Sequence, residues 1–270
     1  MTVELAVEEA GEGTPVVLLH GLTASRRYVV MGSKVLERSG HRVIAYDARG
    51  HGESGPAERY DYAALCADLR RVLDEREIER ATLAGASMGA HTILRFALEH
   101  PDRVAALVVI TPAHDPAEFD DADRLARWDA LAAGLREGGV EGFVEAYGEP
   151  QVPDRYRETV LKVIRQRLAV HDHPDALADA LEQVPRSAPF GAIEDLQAIE
   201  VPAVVVGSRD EADPGHPFAV AEAYARALPH GRLVTEDEGE SPLAWQGSQV
   251  SRVIADAAAE GSGATASGSP

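Results

Sequence analysis

Residues 82–90, Thr-Leu-Ala-Gly-Ala-Ser-Met-Gly-Ala, carry the pattern Gly-x-Ser-x-Gly around Ser87. The apolar residues before it read as a strand and the segment His91 to His100 after it as a helix, which puts Ser87 on a strand-to-helix turn. Glycine on each side permits a turn tight enough to lift the hydroxyl out of the sheet. It then stands at a helix N-terminus, where backbone N–H groups would meet an oxyanion. A serine so placed is a nucleophile for acyl transfer. The competing reading is a glycine-rich turn whose serine merely caps the helix.

Two further segments follow apolar runs: Val17-Leu18-Leu19-His20-Gly21-Leu22, and Tyr46-Asp47-Ala48-Arg49-Gly50-His51-Gly52-Glu53-Ser54. With Gly-x-Ser-x-Gly third in order, the chain resembles α/β-hydrolase-fold proteins of the esterase, lactonase and peroxidase-like group, from about Val3 to Ala258. The resemblance implies a mostly parallel central sheet flanked by helices, with Ser87 as nucleophile and the backbone N–H groups of Leu22 and Met88 as oxyanion hole. It implies structural roles for His20, His51 and Arg49. In Gly207-Ser208-Arg209-Asp210-Glu211-Ala212-Asp213-Pro214 it places Asp210 as the acid that orients a histidine, with Asp213 the weaker candidate. Read without the resemblance, that segment is a solvated acidic turn.

The resemblance also implies a Gly-His pair after the last strand, and here the chain departs from it. Glu240 stands where the histidine is due, and no histidine follows His230. In a serine triad, loss of the histidine costs roughly 10⁶ in kcat and leaves roughly 10³ to 10⁴ over water. Three readings stay open. Glu240 could act as base beside Asp210, two carboxylates sharing a proton. A histidine from elsewhere, His91, His114, His171, His173 or His216, could take over. Or the fold persists without hydrolysis, as a lyase-like or ligand-binding protein lacking a complete triad. The leading expectation is a serine hydrolase acting on a small carboxylic ester, lactone or thioester, with Ser87, Asp210 and Glu240 as its catalytic set.

The elements that must position these groups are legible as apolar runs separated by helical patterns, the alternation of a parallel sheet covered by helices. Strands are expected at Val3 to Val7, Val16 to Leu19, Val43 to Tyr46, Ala81 to Leu83, Ala106 to Ile110, Ala203 to Val206 and Leu233 to Thr235. Between 113 and 190 the strands stop and a polar, helical pattern takes over. This divides the chain into a core of 1–112 and 191–260, a helical cap of 113–190, and a small, polar, flexible tail of 261–270. Within the cap, Leu125, Trp128, Leu131, Ala132 and Leu135 form an apolar stripe that packs against the core, while Trp128, Phe143 or Tyr147 could line a pocket, Trp128 and Tyr147 being the candidate substrate contacts. His171-Asp172-His173 is a poor metal site, because positions i and i+2 of a helix face apart. No cofactor is expected.

Composition sets the outer limits. Twenty-six Lys plus Arg against 45 Asp plus Glu give a formal net charge of −19, which repels nucleic acid and anionic membranes. Residues 191–270 alone hold 13 acidic and 4 basic side chains. The single cysteine, Cys66, can form no internal disulfide, and no signal peptide or membrane span is apparent. A cytoplasmic protein with a small-molecule substrate is expected, and arginine over lysine with abundant alanine suggests a GC-rich bacterial genome.

Overall fold

Seven short segments pair into one sheet, and those at its centre are apolar on both sides. In a computed structural model, which describes residues 3–263, the strands are β1 (Val7–Ala10), β2 (Thr14–Leu19), β3 (His41–Tyr46), β4 (Ala81–Ala86), β5 (Val104–Ile110), β6 (Ala203–Val206) and β7 (Gly231–Val234). Their order is β1-β3-β2-β4-β5-β6-β7, all parallel except β1, which pairs antiparallel to β3 at the edge. Alternate residues feed two separate cores, as the two-residue period of a strand requires. Val17, Leu19, Leu83, Leu107, Val109 and Val205 face one, while Val16, Leu18, Ala84, Val108, Ile110 and Val206 face the other. Strands buried on both faces belong to parallel sheets with helices on each side.

The helices are α1 (Val35–Arg38), α2 (Tyr62–Glu75), α3 (Met88–Glu99), α4 (Ala122–Tyr147), α5 (Asp154–Leu168), α6 (Pro174–Gln183), α7 (Phe218–Ala227) and α8 (Gly247–Gly261). On the first face α2, α3 and α7 contribute Leu69, Leu73, Ile93, Phe96 and Tyr224. On the second, α1 and α8 contribute Leu36, Val250 and Ile254. The one cysteine lies on α2 within the first core, its thiol donating to the Thr92 carbonyl at 3.5 Å, and burial pushes its pKa far up.

The N-terminal strand begins later than its sequence suggests. Residues 4–6 bond to the irregular loop after β3 instead of to a strand: Asp47 N–H donates to Ala6 O at 3.0 Å and Gly55 N–H to Glu4 O at 2.9 Å. Pairing with β3 starts only at Val7, opposite Tyr46. At the other end α8 runs through Gly261. The expected tail beyond it falls on residues 264–270, outside the described residues.

Between β5 and β6 the chain builds α4, α5 and α6, which share their own apolar cluster of Leu131, Leu135, Phe143, Leu168, Leu177 and Leu181. Helix α4 reverses at Gly139, where φ 60 and ψ −143 are open only to glycine. Its two arms then touch through Gly134 and Gly142, where a Cβ on either would stand 2.4 or 2.1 Å from the other's carbonyl oxygen. These helices rest on the loops at the carboxyl ends of the strands. His171 is the pin: its Nδ1 accepts from Gly52 N–H at 2.7 Å, and its Nε2 donates to Thr23 O at 3.1 Å.

Candidate active site

Because six strands are parallel, their carboxyl ends share one edge, and the loops leaving β2, β4, β5 and β6 meet there. They border an open cavity lined by His20, Ser87, Thr111, Asp210, Asp213 and His216, among others. Ser87 stands between β4 and α3 with φ 50 and ψ −111, a conformation that a non-glycine residue holds only under constraint. The constraint comes from its neighbours. A Cβ at Gly85 would lie 2.3 Å from the Gly89 backbone, and one at Gly89 would lie 2.2 Å from Leu19 O. Ser87 N–H donates to Ile110 O at 3.0 Å, fixing the turn to the next strand. The hydroxyl makes no capping bond to α3, so the helix-capping reading of this serine finds no support.

Gly21 lies against the serine: a Cβ there would be 3.2 Å from the Ser87 Cβ. This close approach brings the chain at Leu22 beside the first turn of α3. His20 shapes that loop from below. Its Nε2 accepts from Ala48 N–H at 2.9 Å, so the proton sits on Nδ1, which donates to Gly21 O at 2.8 Å. Both ring nitrogens are thereby used, and burial lowers the pKa to about 3. A neutral, fully bonded imidazole is a strut. Arg49 is another, its guanidinium gripping both oxygens of Asp68 at 2.7 and 2.9 Å. His51 donates from Nδ1 to Arg49 O at 2.9 Å and packs its ring 5.1 Å from that of His20.

The acid loop departs from expectation. Asp210 lines the cavity, but its carboxylate takes Ala212 N–H at 2.9 Å and the Trp245 indole N–H at 3.0 Å. No histidine reaches it among the described residues. Glu240 is exposed on the loop after β7 and is not among the residues lining the cavity, so the structure does not bring it to Asp210 or Ser87. The buried carboxylate of that loop is Glu236, which accepts from Arg209 N–H at 2.6 Å, Leu243 N–H at 3.1 Å and the Ser208 hydroxyl at 3.3 Å. Burial opposes its charge, yet these bonds hold its pKa below the usual carboxylate value. Glu236 therefore staples the acid loop to the loop after β7.

Successive turns, Asp213 N–H to Asp210 O at 3.1 Å and His216 N–H to Asp213 O at 3.2 Å, stack the rest of the acid loop. They bring His216 Nδ1 within 2.8 Å of Asp213 Oδ2. Burial works against the Asp213 charge, but the bond from His216 outweighs it and keeps the carboxyl below its ordinary range. Of the five histidines considered as substitutes for the missing one, His216 alone lines the cavity with Ser87. His91 spends Nε2 on Ala113 and His114 N–H, both at 3.1 Å, and Nδ1 on the Tyr62 hydroxyl at 3.0 Å. His114 packs between Phe119 and Phe190. His171 is the pin already described, which also leaves it no lone pair for a metal, and His173 is exposed ahead of α6.

The aromatic candidates of the inserted helices turn inward on one another. Trp128 and Tyr147 pack against the Leu131–Phe143 cluster, and neither is among the cavity-lining residues. Tyr28, Trp245 and Arg167 line the cavity instead. The first two lie in three-residue 3₁₀ turns, too short to carry a readable period. Arg167 follows Ile164 by three positions on α5, and Ile164 packs inward, so helical spacing alone could have flagged it.

A family model for the alpha/beta hydrolase fold matches residues 14–246. An AB hydrolase superfamily protein of Bacillus subtilis is 26% identical over 245 residues, 86% of each chain. A thermophilic esterase from Thermogutta terrifontis superposes with a TM-score of 0.76 at 26% identity, covering 94% of this chain and 92% of that one. The enol-lactonase from Burkholderia xenovorans gives 0.70 at 25% identity, covering 94% of both. Sequence motifs, strand order and these likenesses agree: the chain belongs to the α/β-hydrolase-fold family.

Proposed function

We propose that this protein hydrolyses a small carboxylic ester, lactone or thioester, with Ser87 as nucleophile and His216, oriented by Asp213, as the base. The observation that carries this reading is the 2.8 Å bond from His216 Nδ1 to Asp213 on the same cavity wall system as Ser87. An imidazole bonded through Nδ1 to a carboxylate keeps Nε2 as its accepting nitrogen, the tautomer a general base needs. His216 takes the Ser87 proton as Oγ bonds to the carbonyl carbon. The resulting oxyanion is met by the N–H groups of Leu22 and Met88. Collapse expels the alkoxide or thiolate, which takes the proton from His216, and water then releases the acid by the same route. Asp210 and Trp245 shape the wall, and Glu240 takes no part.

The reading is tested by labelling with a serine-reactive fluorophosphonate and by ester turnover in three variants. Ser87 should label, and His216→Ala and Asp213→Asn should each lower kcat/KM by about 10²-fold or more. Glu240→Gln should change it less than about twofold, as expected of an exposed side chain away from chemistry. A large loss in Glu240→Gln, with none in His216→Ala, would restore the carboxylate-base reading. The second reading, a lyase-like or ligand-binding member, is favoured by one observation: no hydrogen bond reaches the Ser87 hydroxyl among the described residues. In unliganded sites such bonds are often long and close only around substrate. Failure of Ser87 to label would make that second reading the better one.

A further inference from the structure

Arg167 is the arginine that lines the cavity, and the proposed chemistry leaves it unused. It sits in the last turn of α5 with part of the residue still exposed, but its Nε is cut off from solvent and has no hydrogen-bond partner. Among the described residues its side chain makes one bond, a long one from Nη2 to Leu22 O at 3.4 Å. Tyr28, also on the cavity, holds its ring 5.7 Å from the guanidinium. Other arginines of this acidic chain find carboxylates: Arg26 meets Asp47 and Glu53, Arg49 meets Asp68, and Arg136 meets Asp179 and Glu182. Arg167 makes no ion pair among the described residues. Burial pulls its pKa down, with Asp213 opposing through space.

A guanidinium partly withdrawn from water with no carboxylate against it is costly, and in a chain with 45 acidic residues an acidic partner would have been easy to supply. Its planar donors match a carboxylate bidentately. Leu22 is both the acceptor of Arg167's one bond and a donor of the proposed oxyanion hole, so an anion on Arg167 would lie one short spacer away from a carbonyl at Ser87. The two acids that share the cavity are engaged, Asp210 by Trp245 and Asp213 by His216.

We infer that Arg167 is a specificity residue that binds a free carboxylate on the non-reacting end of the substrate, making the preferred substrates monoanionic esters or lactones of dicarboxylic acids. This rests on the hydrolase reading for its chemistry but not for its binding. The test compares monoethyl adipate with the uncharged analogue in which the free carboxyl is a primary amide. Wild-type protein should prefer the anion by about 30-fold in kcat/KM, as expected for bonds to a charged group, and Arg167→Gln should reduce that ratio below about threefold. Arg167→Lys, which keeps the charge but not the fork, should fall between. An unchanged ratio in Arg167→Gln, or a wild-type preference for the amide, would overturn the inference while leaving the Ser87 reading intact.

Calorimetry separates the two failures. If neither ester turns over and Ser87 does not label, the hydrolase reading fails, and binding of monoethyl adipate to the Ser87→Ala protein still decides the role of Arg167. Affinity at least about tenfold weaker in the Ser87→Ala, Arg167→Gln double variant supports the subsite, and equal affinity in both overturns it.

Discussion

Ser87 is held in its turn by packing that it does not itself benefit from. At φ 50 and ψ −111 a residue with a Cβ stores on the order of 1–3 kcal/mol, which glycine does not. Ser87→Gly should therefore raise the unfolding free energy by about 1 kcal/mol while abolishing turnover, whereas Ser87→Ala should abolish turnover with no such gain. Urea midpoints of the two variants check this, and a Ser87→Gly protein no more stable than Ser87→Ala would mean that the turn carries no strain. This residue was legible in the sequence because everything that fixes it, Gly85, Gly89 and the flanking strand and helix, lies within a few positions. The proposed base was not, because the placement of two separate loops decides which side chains share the cavity with Ser87. Resemblance carried a position to Glu240, but Glu236 anchors that loop four residues earlier and leaves Glu240 facing solvent. The pairing of Asp213 with His216 depends on consecutive turns in a segment with no period to read.

The inserted helices were legible as helices but not as a shape. Helical spacing over Leu125 to Leu135 marks the first arm of α4, and nothing in it announces the reversal at Gly139 or the contact of Gly134 with Gly142. The reversal turned Trp128 and Tyr147 into packing residues, since an arm folded back on itself buries its stripe against its own continuation. A graded alanine series tests this arrangement. Gly138→Ala meets no atom within 4 Å and should be neutral or stabilising by up to about 1 kcal/mol. Gly139→Ala should cost about 1 kcal/mol through its positive φ alone. Gly134→Ala must part the two arms, and should cost more than about 2 kcal/mol. Thermal midpoints that failed to rank in that order would show the two arms to be packed otherwise. Similar limits explain β1: Leu5 and Val7 alternate as a strand should, but whether residues 4–6 pair with β3 or with its loop is settled by long-range contacts.

At the scale of the whole molecule, five histidines, His20, His51, His91, His114 and His171, are held neutral because burial lowers their pKa. Above the unfolded value near 6.5 both folded and unfolded chains carry them uncharged, and their stability contribution is complete. Below it the unfolded chain takes up protons that the native one refuses, so stability is lost as pH falls towards the folded values, about 3 for His20. An imidazole that stays neutral costs roughly 1 kcal/mol between pH 6.5 and 5.5, a sizeable part of a typical domain's stability. The net charge of −19 works in the opposite direction, because acid relieves its self-repulsion. A marked drop in urea midpoint from pH 7.5 to 5.5 at fixed ionic strength is therefore the imidazoles' signature. A flat or rising midpoint would sink the assignment. Cys66 supplies an independent clock for the same event. As the chain's sole thiol, sealed between α2 and α3, it should be inert to disulfide reagents in the native state and react only when that seam parts. The trapping rate of one sulfur atom thus reads how often this protein breathes open, with no engineered label.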